Sequence, residues 1–305
     1  MADPRSPDIP ATNPGSVPEL TGMLRDGGYL ADRGLATAVH VALSLHRPIL
    51  LEGEVGVGKT ELAKTLATVL GRRLIRLQCY EGIDTSQAIY EWDYARQMLY
   101  IRAMSEGETG RAADSPDTVV STLFGPEFLV ERPLLSAVRA GAGAVLLIDE
   151  IDRADDEFEA FLLELLAEFQ VSIPEVGTIR SEDPPLVLLT SNRTRELHDA
   201  LKRRCLYHWL DYPNAGREVE IVTVREPGIP AELTRKVVSA VNRLRELDLA
   251  KPPGVAETID WARTLDFLGE DLGPDSAGLT LGSVVKDHDD EELVRARLDD
   301  LTAPT

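Results

Sequence analysis

The residues able to do chemistry fall into two groups. In the first, Gly53-Glu54-Val55-Gly56-Val57-Gly58-Lys59-Thr60 fits the pattern G-x-x-x-x-G-K-[ST] in full. Glycines let successive backbone N–H groups turn inward and form a concavity for anions. A helix starting there adds its partial positive charge. Lys59 is then placed to reach the β- and γ-phosphates of a nucleotide, and Thr60 to set a hydroxyl on Mg²⁺. Glu61 follows directly and is grouped with these nucleotide-binding candidates. A glycine-rich turn with a chance lysine is the bland alternative, and a full match between an apolar strand and a helix leaves it little room. The loop alone does not separate an ATPase from a small-molecule kinase or a GTPase.

In the second group, Val145-Leu146-Leu147-Ile148-Asp149-Glu150 is an apolar run that ends in two carboxylates. Ligands of open α/β sheets sit at the carboxyl ends of the strands. There Asp149 can hold Mg²⁺ through water, and Glu150 can polarise an attacking water as general base. A water-activating base suits a hydrolase. The acids Asp155 and Asp156 read instead as caps of a following helix.

These groups need a scaffold. Short apolar runs at 49–51, 74–79, 145–148, 186–190 and 206–210 read as strands, with helices at 36–45, 61–70 and 158–169. Strands alternating with helices predict a parallel sheet flanked by helices, an α/β fold. Residues 171–179 read as an inserted hairpin. After Pro213 the strands stop, and 231–247 and 256–268 read as helices. The expected organisation is a flexible proline-rich leader over 1–18, an α/β nucleotide-binding domain over 19–213, a smaller all-helical domain over 214–286, and a charged helix or tail over 287–305.

Composition narrows the partners. The 305 residues carry 32 basic and 52 acidic side chains, a formal charge of −20. Such a surface repels nucleic-acid backbones and anionic lipid. Cys79 and Cys205 cannot build a disulfide framework or a cysteine-based zinc site and fit a reducing compartment. No apolar run approaches the roughly 20 residues of a membrane span, and no signal-peptide core opens the chain. A cytoplasmic setting without membrane insertion is expected. His40, His46, His198, His208 and His288 show no metal-ligand spacing.

Loop, Asp-Glu strand and a fourth strand ending in Thr190-Ser191-Asn192 together resemble the AAA+ ATPases. The hairpin before that fourth strand, with Leu77-Gln78-Cys79-Tyr80-Glu81-Gly82, Glu91-Trp92-Asp93-Tyr94, Arg203-Arg204-Cys205-Leu206-Tyr207-His208-Trp209 and Pro252-Pro253-Gly254-Val255-Ala256-Glu257-Thr258, resembles the MoxR family. Within it, the likeness is to the accessory ATPases of carbon-monoxide dehydrogenase and other molybdenum hydroxylases. The resemblance spans about residues 20–270. It implies an AAA+ sheet followed by a helical lid, with Mg·ATP between them and a hexameric ring as the assembly. It places Asn192 as sensor 1, orienting the attacking water; capping of a helix over 195–201 is the alternative for that residue. It places an arginine finger for the neighbouring subunit at Arg204, with Arg203 close behind on a register set by the next strand and Pro213. It implies a sensor 2 arginine early in a lid helix, yet that position is Thr258; Arg263, more than a turn later, substitutes or sensor 2 is lost. It implies chaperone-like remodelling or metal-cofactor maturation of a metalloenzyme client, with a von Willebrand factor A (VWA) domain partner. A nucleic-acid motor of the same branch and an ATP-controlled assembly switch are the competing readings. Glu91–Tyr94 reads equally as a client-contacting insert or as a surface helix packing its aromatics.

Overall fold

The computed structural model describes residues 13–106, 120 and 122–303. In chain order the first part comprises α1 (Val17–Asp26), α2 (Arg33–Leu45), β1 (Ile49–Gly53), α3 (Lys59–Val69), β2 (Arg73–Gln78), α4 (Thr85–Ile89), β3 (Tyr90–Trp92) and α5 (Tyr94–Glu106). There follow β4 (Leu129–Glu131), α6 (Pro133–Ala140), β5 (Ala144–Asp149), α7 (Asp156–Glu168), β6 (Gln170–Ile173), β7 (Gly177–Arg180), β8 (Leu186–Ser191), α8 (Asp199–Arg204) and β9 (Leu206–Leu210). Beyond β9 the described elements are helical: α9 (Ala215–Arg225), α10 (Ala231–Arg245), α11 (Val255–Leu268), α12 (Pro274–Thr280), α13 (His288–Arg295) and α14 (Leu298–Thr302).

The main sheet is parallel throughout, in the order β2-β5-β8-β1-β9. Its three inner strands are buried at every position, which is why their text is apolar up to their carboxyl ends rather than alternating. The period of two still sorts their side chains by face. Leu50, Leu146 and Leu189 join Leu134, Phe158 and Leu162 in one core. Ile49, Leu51, Leu147 and Leu188 join Leu20, Leu35, Val39 and Leu66 in the other. This sandwich brings the carboxyl ends of β1, β5 and β8 side by side.

Asp155 caps α7, its side chain accepting from the Phe158 N–H at 2.9 Å, as the sequence suggested. The inserted hairpin forms between β6 and β7. A second small antiparallel pair, β3 with β4, takes in Glu91 and Trp92. Trp92 is buried edge-on against Phe124, centroids 5.1 Å apart, so its ring belongs to the core. Residues 1–12 of the expected leader lie outside the described residues. Its expected boundary at residue 18 falls inside α1, which Ser16 caps and whose first turn holds Pro18.

The helical domain has its own core, built from Val222, Val237, Val241, Trp261, Leu265 and Leu281. The charged helices α13 and α14 dock Val294 and Leu301 into this core. Asp290 is buried with them, accepting from the backbone N–H groups of Ala250 and Lys251 at 2.8 and 2.9 Å. At the edge facing the sheet lies a buried ion pair. Arg245 donates to both Glu218 oxygens at 2.7 and 2.8 Å and to the Pro253 carbonyl at 2.7 Å, and its guanidinium stacks over Tyr212 at 4.6 Å. Thr258 donates to the same Glu218 at 2.6 Å. Removing one partner strands a charge away from water. Arg245→Ala is therefore expected to destabilise the helical domain by about 3–5 kcal/mol. Hydrogen exchange across α9, α10 and α11 checks it; protection equal to wild type would refute the pair's role.

Candidate active site

The loop between β1 and α3 takes the shape its sequence demands. Gly58, at φ +96°, turns the chain into α3 as its N-cap, and no side chain caps that end. The first-turn N–H groups of α3 are thus available to an anion. Gly56, at φ +80°, meets the start of the helical domain backbone to backbone. A Cβ on Gly56 would lie 2.7 Å from the Gly254 Cα, and Val255 N–H donates to the Gly56 carbonyl at 3.0 Å. Lys59 is buried, and its Nζ donates to the carbonyls of Gly53 and Glu54, both at 2.7 Å. Burial lowers its pKa, although Asp152, Glu54, Asp149 and Glu150 oppose that shift.

Asp149 ends β5 and is itself buried. Its Oδ1 accepts from Thr60 Oγ1 at 3.0 Å and from Thr190 Oγ1 at 2.5 Å. Its Oδ2 accepts from Arg76 Nε and Nη2 at 3.0 and 2.6 Å. Glu150 sits in the left-handed region at φ +55°, which disfavours a side chain with a Cβ. Three bonds hold it there. Its N–H donates to Thr190 Oγ1 at 2.9 Å, and its Oε2 accepts from Gln78 Nε2 at 3.0 Å and Arg153 Nη1 at 3.2 Å. Asn192 follows β8, with its N–H on Asp152 Oδ2 at 3.2 Å; the same oxygen takes the Thr194 N–H at 2.8 Å. Helix α8 starts later, behind His198, so Asn192 caps no helix.

Lys59, Thr60, Asp149, Glu150 and Asn192 all line one cleft of about 650 Å³. Its other walls come from the helical domain and from the segment before α2, including Tyr29, Ile221 and Ile259. Glu61 lines it too and ties the two domains through Arg225 at 2.6 Å. Burial works to raise the Glu61 pKa, but Arg225 and Lys64 outweigh it and the carboxyl is held below its usual range. Cys79, behind Asp149, has its thiol pushed up to about 12 by burial and by the neighbouring carboxylates. It is a core residue rather than a nucleophile.

Two sets of expected site residues lie elsewhere. Arg203 and Arg204 end α8, at the opposite end of the sheet. They are exposed, with no side-chain hydrogen bond or ion pair among the described residues, and they line a separate hollow of about 470 Å³ with His46 and Arg47. Arg263 is exposed, paired with Glu226 and with Asp260 at 3.5 Å, and is not among the residues lining the cleft. Thr258, at the position expected for sensor 2, is buried against Glu218. The cations that the helical domain does present to the cleft are Arg217 and Arg225. Sequence reasoning missed these two, and also Arg76 and Gln78. The signal for the latter pair lay in their place two apart on one strand, with Gln78 also inside the Leu77–Gly82 stretch.

Fold and site together define a P-loop ATPase of the AAA+ class. Residues 48–205, just over half of the sequence, match the AAA domain of the dynein-related subfamily, and the chain belongs to that family. It is 26% identical to Protein NorQ of Paracoccus denitrificans over 230 residues, covering 73% of this chain and 74% of that protein. It is 28% identical to the gas vesicle ATPase GvpN of Haloferax mediterranei over 264 residues, covering 83% of this chain and 73% of GvpN. The MoxR-type AAA+ resemblance read from the sequence is borne out. Among solved structures, the Thermotoga maritima RuvB Holliday junction branch migration motor superposes with a TM-score of 0.46 at 16% identity, over 85% of this chain and 69% of that one. No described helix is long and apolar enough to cross a membrane.

The Gly56–Gly254 contact gives a prediction of its own. A Cβ on Gly254 would lie 2.5 Å from the Gly56 Cα, so Gly254→Val must push loop and helical domain apart. Overpacking of this kind costs roughly 1–3 kcal/mol. Nucleotide affinity is expected to fall about tenfold, measured by titration with a fluorescent ATP analogue, while the thermal transition of the α/β core stays in place.

Proposed function

We propose that the chain hydrolyses Mg·ATP in a cytoplasmic homo-oligomer, a hexameric ring, and uses the cycle to remodel a client protein. One arrangement carries this reading. Lys59, Thr60, Asp149, Glu150 and Asn192 share a cleft between two domains, while Arg203 and Arg204, unpaired among the described residues, sit at the far end of the sheet.

The N–H groups of Gly56 to Thr60 and the Lys59 ammonium bind the phosphates. The Thr60 hydroxyl and Asp149 carboxylate stand 3.0 Å apart and offer the oxygen donors a hard cation prefers, so the residues fit Mg²⁺. When bound, Mg²⁺ neutralises charge on the phosphate oxygens. Glu150, fixed by Gln78 and Thr190, takes a proton from the attacking water. The Asn192 amide orients that water. Arg204 or Arg203 of the next copy stabilises charge in the transition state, and each site is then complete only through a heterologous contact. Arg217 and Arg225, which line the cleft from the helical domain, take up part of the sensor 2 role. Opening and closing of this domain over the loop would move the inserted hairpins.

The MoxR resemblance supports a chaperone-like task, with maturation of a metalloenzyme and a VWA-domain partner as its specific form. The competing reading, an assembly switch with little turnover, draws on the pairing of Arg263 away from the cleft. ATP turnover followed against protein concentration separates the two. Wild type is expected to gain specific activity with concentration. Glu150→Gln is expected to lose at least about 100-fold. The double variant Arg203→Ala/Arg204→Ala should lose it at every concentration, and Asn192→Ala should bind ATP yet turn over slowly. Wild-type turnover no faster than Glu150→Gln would favour the switch, and recovery of DNA with the Glu150→Gln trap would favour a nucleic-acid motor.

A further inference from the structure

We propose that Arg76 is a positioning residue that sets the divalent-cation affinity of the nucleotide site through its hold on Asp149. The proposal rests on the reading of Thr60 and Asp149 as the cation site. Arg76 lies on the edge strand β2, level with Leu147 of β5, and its guanidinium reaches toward the carboxyl end of the sheet. There Nε and Nη2 both donate to Asp149 Oδ2, at 3.0 and 2.6 Å. The same Nη2 also bonds Gln78 Oε1, so the guanidinium is oriented from two sides.

Asp149 is thereby saturated. Thr60 and Thr190 occupy Oδ1, and Arg76 occupies Oδ2. A carboxylate this deeply buried, 4% exposed, needs a counter-charge, and Arg76 supplies it. A hydrated divalent cation held by the same carboxylate needs both its charge and its lone pairs. A guanidinium at hydrogen-bond distance opposes that cation directly, because two like charges then share one anion. Arg76 keeps Asp149 ordered before the cation arrives and must yield Oδ2 when it does. Its side chain is half exposed, so water stands ready to receive it.

The test is a Mg²⁺ titration of the full chain with a fluorescent ATP analogue at fixed concentration, reading nucleotide binding rather than turnover. Arg76→Gln keeps a hydrogen-bonding side chain and removes the charge. It is expected to shift the Mg²⁺ midpoint down roughly tenfold, while affinity for the analogue in EDTA stays at the wild-type value. Arg76→Lys keeps the charge with one nitrogen, and its midpoint should fall between the two. It is the readout should the glutamine variant fail to fold. A midpoint unchanged or raised in the folded variant overturns the proposal. Thr60→Ala keeps the two failures apart. If it leaves the Mg²⁺ dependence intact, the cation-site reading itself has failed; if it abolishes that dependence while Arg76→Gln shifts nothing, Arg76 alone has been misassigned.

Discussion

One buried carboxylate organises the carboxyl edge of this sheet. Asp149 leaves water almost entirely, which is tolerable only if each lone-pair direction finds a donor. The donors come from three elements: Thr60 on α3, Arg76 on β2 and Thr190 on β8. Satisfying Asp149 therefore fixes how α3 enters and where the strands on either side of β5 stop. The register that sets Gln78 beside Asp149 also puts the Gln78 amide within 3.0 Å of Glu150, so one constraint positions both acids. The left-handed backbone at Glu150 belongs to the same arrangement. Thr190 receives the Glu150 N–H and donates to Asp149, so a single hydroxyl holds the strained residue against its neighbour.

The helical domain meets this edge first through backbone. Gly56 and Gly254 approach so closely that neither position has room for a Cβ. The position expected for sensor 2 lies just beyond that contact. Thr258 lies one turn past Gly254, donating to the Gly254 carbonyl at 3.1 Å and facing the buried Glu218. An arginine there would meet Arg245, which already occupies both Glu218 oxygens. Charge from this domain instead reaches the cleft along α9. Arg225 binds Glu61, and Arg217 reaches back to the Ala31 carbonyl at 3.0 Å. These links join the two domains at the walls of the site.

Much of this was legible in the residues because it depends on local pattern. The inner strands betray themselves by apolar runs that turn polar only at their carboxyl ends, and the phosphate loop by glycine spacing between strand and helix. Asp149 and Glu150 follow from their place at a strand end. What escaped the sequence depends on pairing across the sheet or between domains. Nothing local marks Arg76 as the partner of an acid 73 positions away. The helix that the capping alternative for Asn192 placed over 195–201 begins instead at Asp199, and Arg195 turns inward to the fully buried Glu159. The pairing of β3 with β4 bridges residues about forty apart, beyond the reach of any periodicity argument.

The charge of −20 acquires a geography in the fold. Lys59 answers the acids at one end of the sheet, and Arg47, Arg203 and Arg204 gather at the other. The second cluster is built, not incidental. Arg47 Nη2 reaches the carbonyls of Arg203, Arg204 and Cys205 at 3.2, 3.0 and 3.4 Å, capping the negative end of α8. Ahead of that helix, the His198 N–H donates to Glu159 at 2.9 Å. A six-residue helix held at both ends presents its last two side chains in a defined direction. That direction is away from the chain's own loop. Leu206 pairs with Ile49 at the amino end of β1, and the loop begins after Gly53, so the length of β1, roughly 16 Å, separates them. An arginine side chain does not span that distance. If either arginine meets a nucleotide, it is one bound by a neighbouring copy, and the basic residues of this acidic chain then lie where two copies share one set of phosphates.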